Sequence, residues 1–395
     1  MTNSQVGDAI EQKSLSGGGR WEELQKVARL VVGTLAPQGK DSFSDSGTWF
    51  VRVSDLAGCD FDGILMATRD RLSELAIATK PLVRVPKGAV VLPKSGAAIA
   101  TNRRAILGMD AYIVGHLLAL IPIPEMILTE WLYFALRQID MVEFSENASY
   151  PSLKKSAVAK IEIPLPPLSE QKRIVAILKG RMGAVERARM AALDRVEAAR
   201  ALGAAFLREI FSFENGNSLP GNWQRVAVNS AIVKIKYTTK IQKRDYLKKG
   251  NYPIIDQSQK FISGYWNDEN ALFRVKEPVI IFGDHTRITK YVDFDFVLGA
   301  DGVKILQPHN GIDARFFYYA LKSISIESLG YSRHYKALQN QQIPLPPLSE
   351  QRQIVATLDA KMAIAEKARA AAEAELEAME ALPGALLRQA FKGEL

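Results

Sequence analysis

The chain repeats itself at a distance of 180 residues. Residues 163–211, beginning IPLPPLSEQKRIVAIL, align without a gap onto residues 343–391, beginning IPLPPLSEQRQIVATL, with 27 identities in 49 positions. Solenoid and propeller arrays repeat every 20–50 residues or so, and this period lies far outside that range. It describes two modules, each a variable block followed by a common one. Both variable blocks open on a tryptophan, GGGRW ending at Trp21 and LPGNW ending at Trp223. Both close on a polar stretch, YPSLKK at 150–155 and YSRHYK at 331–336. A pseudo-twofold molecule follows, in which two related frames present two different surfaces.

In the common block, Pro164, Pro166 and Pro167 and their partners Pro344, Pro346 and Pro347 cannot donate to a helix interior, and they hold the chain extended. Ser169 and Ser349 then read as N-caps, with Glu170 and Glu350 at the positive helix end. From there to about Glu209, and in the matching stretch, helix formers dominate. One apolar seam reads Ile174, Leu178, Arg181, Val185, Ala188, Ala192, Arg195, Ala199, Leu202, Phe206. The other reads Ile354, Leu358, Lys361, Ala365, Ala368, Ala372, Glu375, Met379, Leu382, Leu386. The spacing is heptad-like, so two rods of roughly 60 Å are expected, each needing a partner for its stripe. Residues 170–209 carry 9 basic and 5 acidic side chains, and 350–389 carry 5 and 7, a bias that favours packing of one on the other. Pro383-Gly384 predicts a kink or a short restart.

The variable blocks mix short strand-like runs with one helix each. Strands are expected within 47–56, 81–93 and 102–114, and within 252–259, 277–284, 290–296 and 302–308. Helices are expected over Ile127–Ile139 and Ile312–Ser323. The fold class is α/β or α+β, divided into an N-terminal segment 1–20, a first domain 21–162, a connector and helix 163–211, a second domain 212–342, and a C-terminal connector and helix 343–395. A chain of 395 residues suits two or three domains.

The net charge of +8 is uneven. Residues 1–162 have 18 basic and 18 acidic side chains, whereas 212–342 have 18 and 12. A positive field in the middle of the chain attracts polyanions. Within it, 234–249 concentrates Lys234, Lys236, Lys240, Lys243, Arg244, Lys248 and Lys249 among Tyr237 and Tyr246, an electrostatic footprint suited to phosphates. Two loops carry base-reading chemistry. LPKSGAAIATNRR at 92–104 offers Lys94, Ser95, Asn102, Arg103 and Arg104. FGDHTRITK at 282–290 offers Asp284, His285, Thr286, Arg287 and Lys290. Arginine can read guanine, asparagine adenine and aspartate cytosine, while lysine and serine position phosphates. The polar stretches add Lys154 and Lys155 in one module and Arg333, His334 and Lys336 in the other.

The catalytic inventory is thin. GxxxxGK[ST] and HExxH are absent, and neither PP pair stands in an amino-methyltransferase context. His116, His285, His309 and His334 lack ligand spacing. Cys59 is the one cysteine, which excludes an intrachain disulfide and a cysteine-rich zinc site. The residues as they stand show no secretory signal and no run near 20 apolar residues, so a soluble, cytoplasmic protein off the membrane is expected. Binding is favoured over catalysis.

The duplicated PLPPLSEQ segment with its long helix resembles the DNA-specificity subunit of type I restriction–modification systems, over nearly the whole chain. The KSG…TNRR and FGDHTR segments resemble parts of that family's target-recognition domains. The resemblance implies that each variable domain reads one half of a bipartite double-stranded DNA target, and that the two helices pack as an antiparallel coiled coil that sets the spacer. It implies two methyltransferase subunits that use S-adenosylmethionine on adenine N6, which two restriction subunits using ATP and Mg²⁺ can join. No cofactor, metal or catalytic residue would then belong to this chain. It also implies that 1–20 packs beside the C-terminal block. The residues alone leave two other readings open: a stand-alone methyltransferase or nuclease, and a coiled-coil interaction scaffold without a DNA role.

Overall fold

A computed structural model describes residues 19–59, 62–147, 149–212, 219–327 and 333–395. The chain divides into two compact units: one ends at Ala192 and takes in Glu375–Leu395, the other is Leu193–Ala374.

In the first unit the strands are β1 (Arg20–Glu23), β2 (Ala28–Val32), β3 (Phe43–Val51), β4 (Ile64–Leu65), β5 (Asp70–Leu72), β6 (Arg84–Val85), β7 (Val90–Pro93), β8 (Ala105–Leu107), β9 (Ala111–Ile113), β10 (Leu117–Pro122) and β11 (Glu162–Leu165). The helices are α1 (Leu24–Val27), α2 (Glu74–Thr79), α3 (Thr129–Arg137) and α4 (Lys155–Ala159), followed by the long α5 (Leu168–Phe211). One sheet runs β2-β10-β7-β8-β4 and a second runs β5-β3-β9-β6. Helix α3 covers one face of the first sheet, where Trp131, Phe134 and Leu132 are buried with Val90, Leu92, Leu118 and Leu120. The opposite face, with Val91, Ala105, Leu117 and Ala119, joins the core of the second sheet. The alternation along β7 and β10 follows from the two-residue period of a strand.

The second unit repeats this plan. Its strands are β12 (Gln224–Ala227), β13 (Ile232–Val233), β14 (Lys240–Ile241), β15 (Tyr252–Ile255), β16 (Gly264–Trp266), β17 (Leu272–Phe273), β18 (Val279–Gly283), β19 (Thr289–Val292), β20 (Phe296–Gly299), β21 (Val303–Pro308) and β22 (Gln342–Leu345). Its helices are α6 (Ala314–Ser323), α7 (Tyr335–Gln339) and α8 (Leu348–Phe391). One sheet runs β13-β21-β18-β19, and the other runs β14-β20-β15-β16, with β17 also on β20. Helix α6 buries Phe316, Phe317 and Ala320 against Ile280, Phe282 and Leu306. Both expected domain helices form, each shortened at its N-terminal end. In the second unit Asp313 caps α6 through the backbone N–H groups of Arg315 and Phe316.

The proline connectors are strands. β11 pairs antiparallel with β1, setting Trp21 opposite Pro164, and β22 pairs with β12, setting Arg225 opposite Pro344. Each is a two-stranded ribbon, where a missing proline donor leaves no inner ladder broken. The long helices start two residues earlier than the serine caps require. The carbonyl of Pro167 accepts from Glu170 and Gln171, and that of Pro347 accepts from Gln351. Ser169 and Ser349 therefore lie inside the first turn. Helix α8 runs through Pro383 without the expected restart.

Within each unit, an N-terminal half of one long helix lies beside a C-terminal half of the other. In the first unit Ile174, Leu178 and Met182 share a core with Leu387 and Ala390. In the second, Arg200 pairs with Glu373 at 3.1 Å and Glu209 with Lys361 at 2.6 Å. The partner number falls as the first rises, so the packing is antiparallel. Ala192, Leu358 and Ala365 are buried, and Val185, Leu202, Phe206, Ile354, Met379 and Leu386 are half-buried. Leu382 is a correction, being 37% exposed. In the first helix the seam takes Met182 and Val196, both buried, where the sequence reading uses Arg181 and Arg195.

Candidate nucleic-acid interface

Hydrogen-bond register matches the two units residue by residue. The N–H of Lys94 donates to the His116 carbonyl at 2.7 Å, and that of Asp284 donates to the Gly302 carbonyl at 2.7 Å. Strand β7 opposes Ala105 to Val91, and β18 opposes Lys290 to Ile281. On this register the loops 94–104 and 284–288 join equivalent strands, and Asn102 stands where Arg287 does. Both have left-handed backbones, with φ of 51° and 61°. Non-glycine residues seldom adopt this conformation, and those that do gather at functional loops. The Asn102 carboxamide accepts from Met141 N–H, and Arg103 beside it is exposed. Arg287 is exposed, with its guanidinium on the Ile326 carbonyl at 2.7 Å.

Each polar stretch docks beside its loop. In the first unit Leu153 N–H donates to the Lys94 carbonyl, and Gly96 N–H to the Pro151 carbonyl. Ser95 bridges Ser152, and its hydroxyl meets His116 Nδ1 at 2.6 Å. A groove of about 620 Å³ results, lined by Gln25, Lys94, Ser152, Lys154, Lys155 and Ser156. Three of these are lysines, and Lys154 is partly engaged by Glu146 at 2.8 Å. In the second unit the equivalent position is built differently. His334 places its N–H and its ring Nδ1 on the Asp284 carbonyl, and the Asp284 carboxylate accepts from Tyr335 N–H at 2.8 Å. Lys304 lies 4.0 Å from the Asp284 carboxylate and over the Tyr335 ring. Burial holds the Tyr335 hydroxyl above its usual range, with Tyr237 and Asp284 adding to the effect.

Four sequence candidates are interior. Arg104 is 5% exposed and bonds the Ile139 carbonyl; burial, then the nearby Arg137, bring its guanidinium down to about 10. Lys290 is 5% exposed and its amine is spent on the carbonyls of Asp256, Lys260 and Phe261. Asp284 and His334 are buried in the contact just described. These side chains hold backbone and take no part in the solvent-facing surface. Thr286 is exposed but donates to the Gln257 carbonyl, and His285 N–H donates to the Gln257 side chain at 3.1 Å.

In the basic segment Lys234, Lys236, Lys243, Arg244, Lys248 and Lys249 are all exposed, as are Lys155, Arg333 and Lys336. Lys240 is half-buried on the Val303 carbonyl, its amine held below the usual range by burial and by Lys304. Sequence reasoning missed Lys304 and Gln257, whose partners are distant in the chain, and Gln25, which bonds its neighbour Glu23 and lines the groove with residues far along the chain. Among the described residues no cluster of His, Cys, Asp and Glu could hold a metal ion. Among the same residues no helix is long and apolar enough to cross a membrane.

One repeated contact ties each sheet to the long helices. Gln171, fully buried, accepts from Leu128 N–H and donates to the carbonyls of Met126 and Pro166. Gln351, equally buried, accepts from Asp313 N–H and donates to the carbonyls of Gly311 and Pro346. Both act on the turn just before the domain helix. Aromatic contacts repeat as well: Trp131 on Phe391 at 4.8 Å, and Phe316 on Phe211 at 5.5 Å.

Comparison with known proteins agrees with this duplicated plan. The family described as "Type I restriction modification DNA specificity domain" matches twice, over residues 23–190 and 220–377. The EcoR124I/EcoR124II specificity subunit of a type I restriction enzyme from Escherichia coli is 29% identical over 143 residues, 32% of this chain and 35% of that protein. The chain spans between about a third and a half of the length of the curated relatives it matches. Among solved structures, a chain from work on complex assembly and conformational transition of the type I R-M system has the same fold, with a TM-score of 0.78 at 23% identity, covering 97% of this chain and 100% of that one. The HsdS subunit from Thermoanaerobacter tengcongensis follows, with a TM-score of 0.59 at 22% identity, covering 98% and 100%. With both of its modules matched, the chain belongs to the type I restriction modification DNA specificity domain family.

Proposed function

We propose that this chain is the DNA-specificity subunit of a type I restriction–modification assembly, a cytoplasmic protein that reads a bipartite duplex target. The observation that carries the reading is the matched pair of loops, 94–104 and 284–288. Each has a left-handed polar residue and an exposed arginine, and each is flanked by a polar stretch. Domains 21–162 and 212–342 are the reading heads. Arg103 and Arg287 approach base edges, where a bidentate arginine discriminates between bases. Lys94, Lys154 and Lys155 hold phosphates in the first unit, and the 234–249 segment with Arg333 and Lys336 does so in the second. The long helices, 163–211 and 343–391, set the spacer.

Chemistry belongs to partners. Two methyltransferase subunits bring S-adenosylmethionine, two restriction subunits bring ATP and Mg²⁺, and this chain binds no cofactor. Methylation sequencing of cells with and without the gene tests the reading. A split, adenine-containing motif methylated only when the gene is present is the expected result. An unchanged methylome in cells that make the methyltransferase overturns it, as does turnover of DNA by the purified chain alone.

A further inference from the structure

The two units differ at one sheet edge. In the first, β4 closes the sheet beyond β8 as a parallel strand, Ile64 beside Ile106 and Leu65 beside Leu107. Ile106 N–H donates to the Gly63 carbonyl and Gly108 N–H to the Leu65 carbonyl. Gly63, at φ 75°, lies so close to the Tyr133 ring that a Cβ would stand 2.1 Å from it. In the second unit β19 is the last strand, and among the described residues no strand pairs with its outer side. The cause is chain length. Strand β4 arises from residues 52–69, between β3 and β5, whereas the equivalent connection between β15 and β16 is only 256–263. The shorter loop leaves Phe261 and Ile262 exposed at 45% and 38%.

Register places Tyr291 and Asp293 where Ile106 and Gly108 present their N–H groups to β4, and Tyr318 where Tyr133 meets Gly63. Beside this edge runs a groove of about 460 Å³, lined by Phe261, Phe294, Tyr291, Asp293, Arg315 and Tyr318. It offers little to a phosphate. The Lys290 amine is turned onto backbone carbonyls, and Arg315 is engaged by Asp359 at 3.0 Å and stacked against Tyr291 at 4.8 Å. Unpaired strand edges with apolar walls accept added strands.

We infer that the outer edge of β19 and its groove take one extended segment of a partner polypeptide, a glycine followed by two aliphatic residues, as an added strand parallel to β19. The chain's own residues 63–65 show what such a segment looks like. Backbone pairing fixes it to Tyr291 and Asp293, and the glycine passes the Tyr318 ring. The first unit, already closed by β4, offers no equivalent place.

The probe is a labelled peptide of residues 62–67, titrated into the full chain. Saturable binding is expected. It should weaken about tenfold when the peptide backbone is N-methylated, when its glycine is replaced by valine, and in the Asp293→Pro chain. Asp293 is exposed and follows the last residue paired with β18, so proline there removes an N–H outside that pairing together with the carboxylate, for which Asp293→Ala is the control. Tyr318→Ala gives an independent variant. No saturable binding to the wild-type chain overturns the inference, and so does binding indifferent to N-methylation. Two further results would also overturn it: self-association of the chain lost in Asp293→Pro, which assigns the edge to a second copy, and duplex-DNA affinity lost in both variants while the peptide still binds. The reading-head assignment survives any of these failures, because it rests on other loops.

Discussion

The two units dock their domain helices onto the long helices through the same pair of positions, with the charges exchanged. In the first, Lys179 of α5 donates to Glu130 of α3 at 2.8 Å. In the second, the residue 180 positions on is Asp359, which accepts from Arg315 of α6 at 3.0 Å and from the Tyr319 hydroxyl. The surroundings differ too, since Arg315 lies over the rings of Tyr291, Tyr318 and Tyr319. Duplication preserved the geometry and reversed the sign. A domain helix of one unit on the frame of the other would meet a like charge, so the pair distinguishes the two heads from one another. The individual pairs are half-exposed and contribute modestly to stability.

The largest blow to this symmetry should come from Gln171→Leu or Gln351→Leu. Each strands one buried N–H and two carbonyls, and about 2–4 kcal/mol of stability should be lost. Limited proteolysis should open the first unit in one variant and the second unit in the other. Equal opening of both units in either variant would break the comparison.

Next in size is a charge test. Arg315→Glu against Asp359 should cost about 2 kcal/mol, because stacking on the tyrosines goes with the ion pair. Glu130→Lys against Lys179 should cost about 1 kcal/mol, and adding Lys179→Glu should recover it. Denaturant titration of the full chain measures both.

A comparable sum separates base reading from phosphate holding. Arg287→Ala and Arg103→Ala should each relax preference at one base pair by about 1–3 kcal/mol. Lys248→Ala with Lys249→Ala should instead weaken binding to every sequence, and each lost phosphate contact should reduce the log–log salt slope by about 0.9. Competition binding at several salt concentrations resolves the two.

Acid should discriminate between the units more gently. Burial pushes the Glu130 carboxyl up, but the Lys179 hydrogen bond, a backbone hydrogen bond and the Lys179 charge together outweigh it, and the group lies below its ordinary 4.5. A carboxyl depressed by folding adds stability above its unfolded value and loses it as pH falls through the lower folded value. Lys179→Met should therefore flatten the stability profile of the first unit below about pH 4.5. The smallest effect is conformational. Arg287→Gly should stabilise the folded chain by about 0.5 kcal/mol, whereas Asn102→Gly should be nearly neutral, asparagine being tolerant of positive φ.

How much of this was legible in the sequence depends on where the signal resides. The helices of the common block were readable because periodicity survives over 44 residues, yet the seam was read one position out at Arg181 and Arg195, and Leu382 proved exposed. Arginine stems at those positions look acceptable in a heptad count, and only the packed partner shows that Met182 and Val196 face inward. The runs forming β7, β8, β18 and β21 were visible as strand-like segments, whereas β10 was not expected. Strand pairing was not visible, because neighbours such as β2 and β10 are separated by most of a domain.

The loops at 94–104 and 284–288 were found from their residue types, and their structural equivalence needed the register. Arg104, Lys290, Asp284 and His334 were misjudged for one reason: a polar side chain suggests solvent, and each is instead buried on carbonyls or amides far away in sequence. The missing fifth strand had no local signature. It is the difference in length between two loops whose correspondence appears only once the sheets are matched.

Gln171 and Gln351 grip main-chain atoms and ignore the side chains of the turn they hold. A domain helix entered by a turn of the same shape could be seated there whatever the side chains of that turn, provided its charge suits the residue at 179 or 359. Such a joint frees the turns to drift while the spine stays as it is, so that, on the proposed function, new target preferences arise without a redesign of the scaffold that carries them.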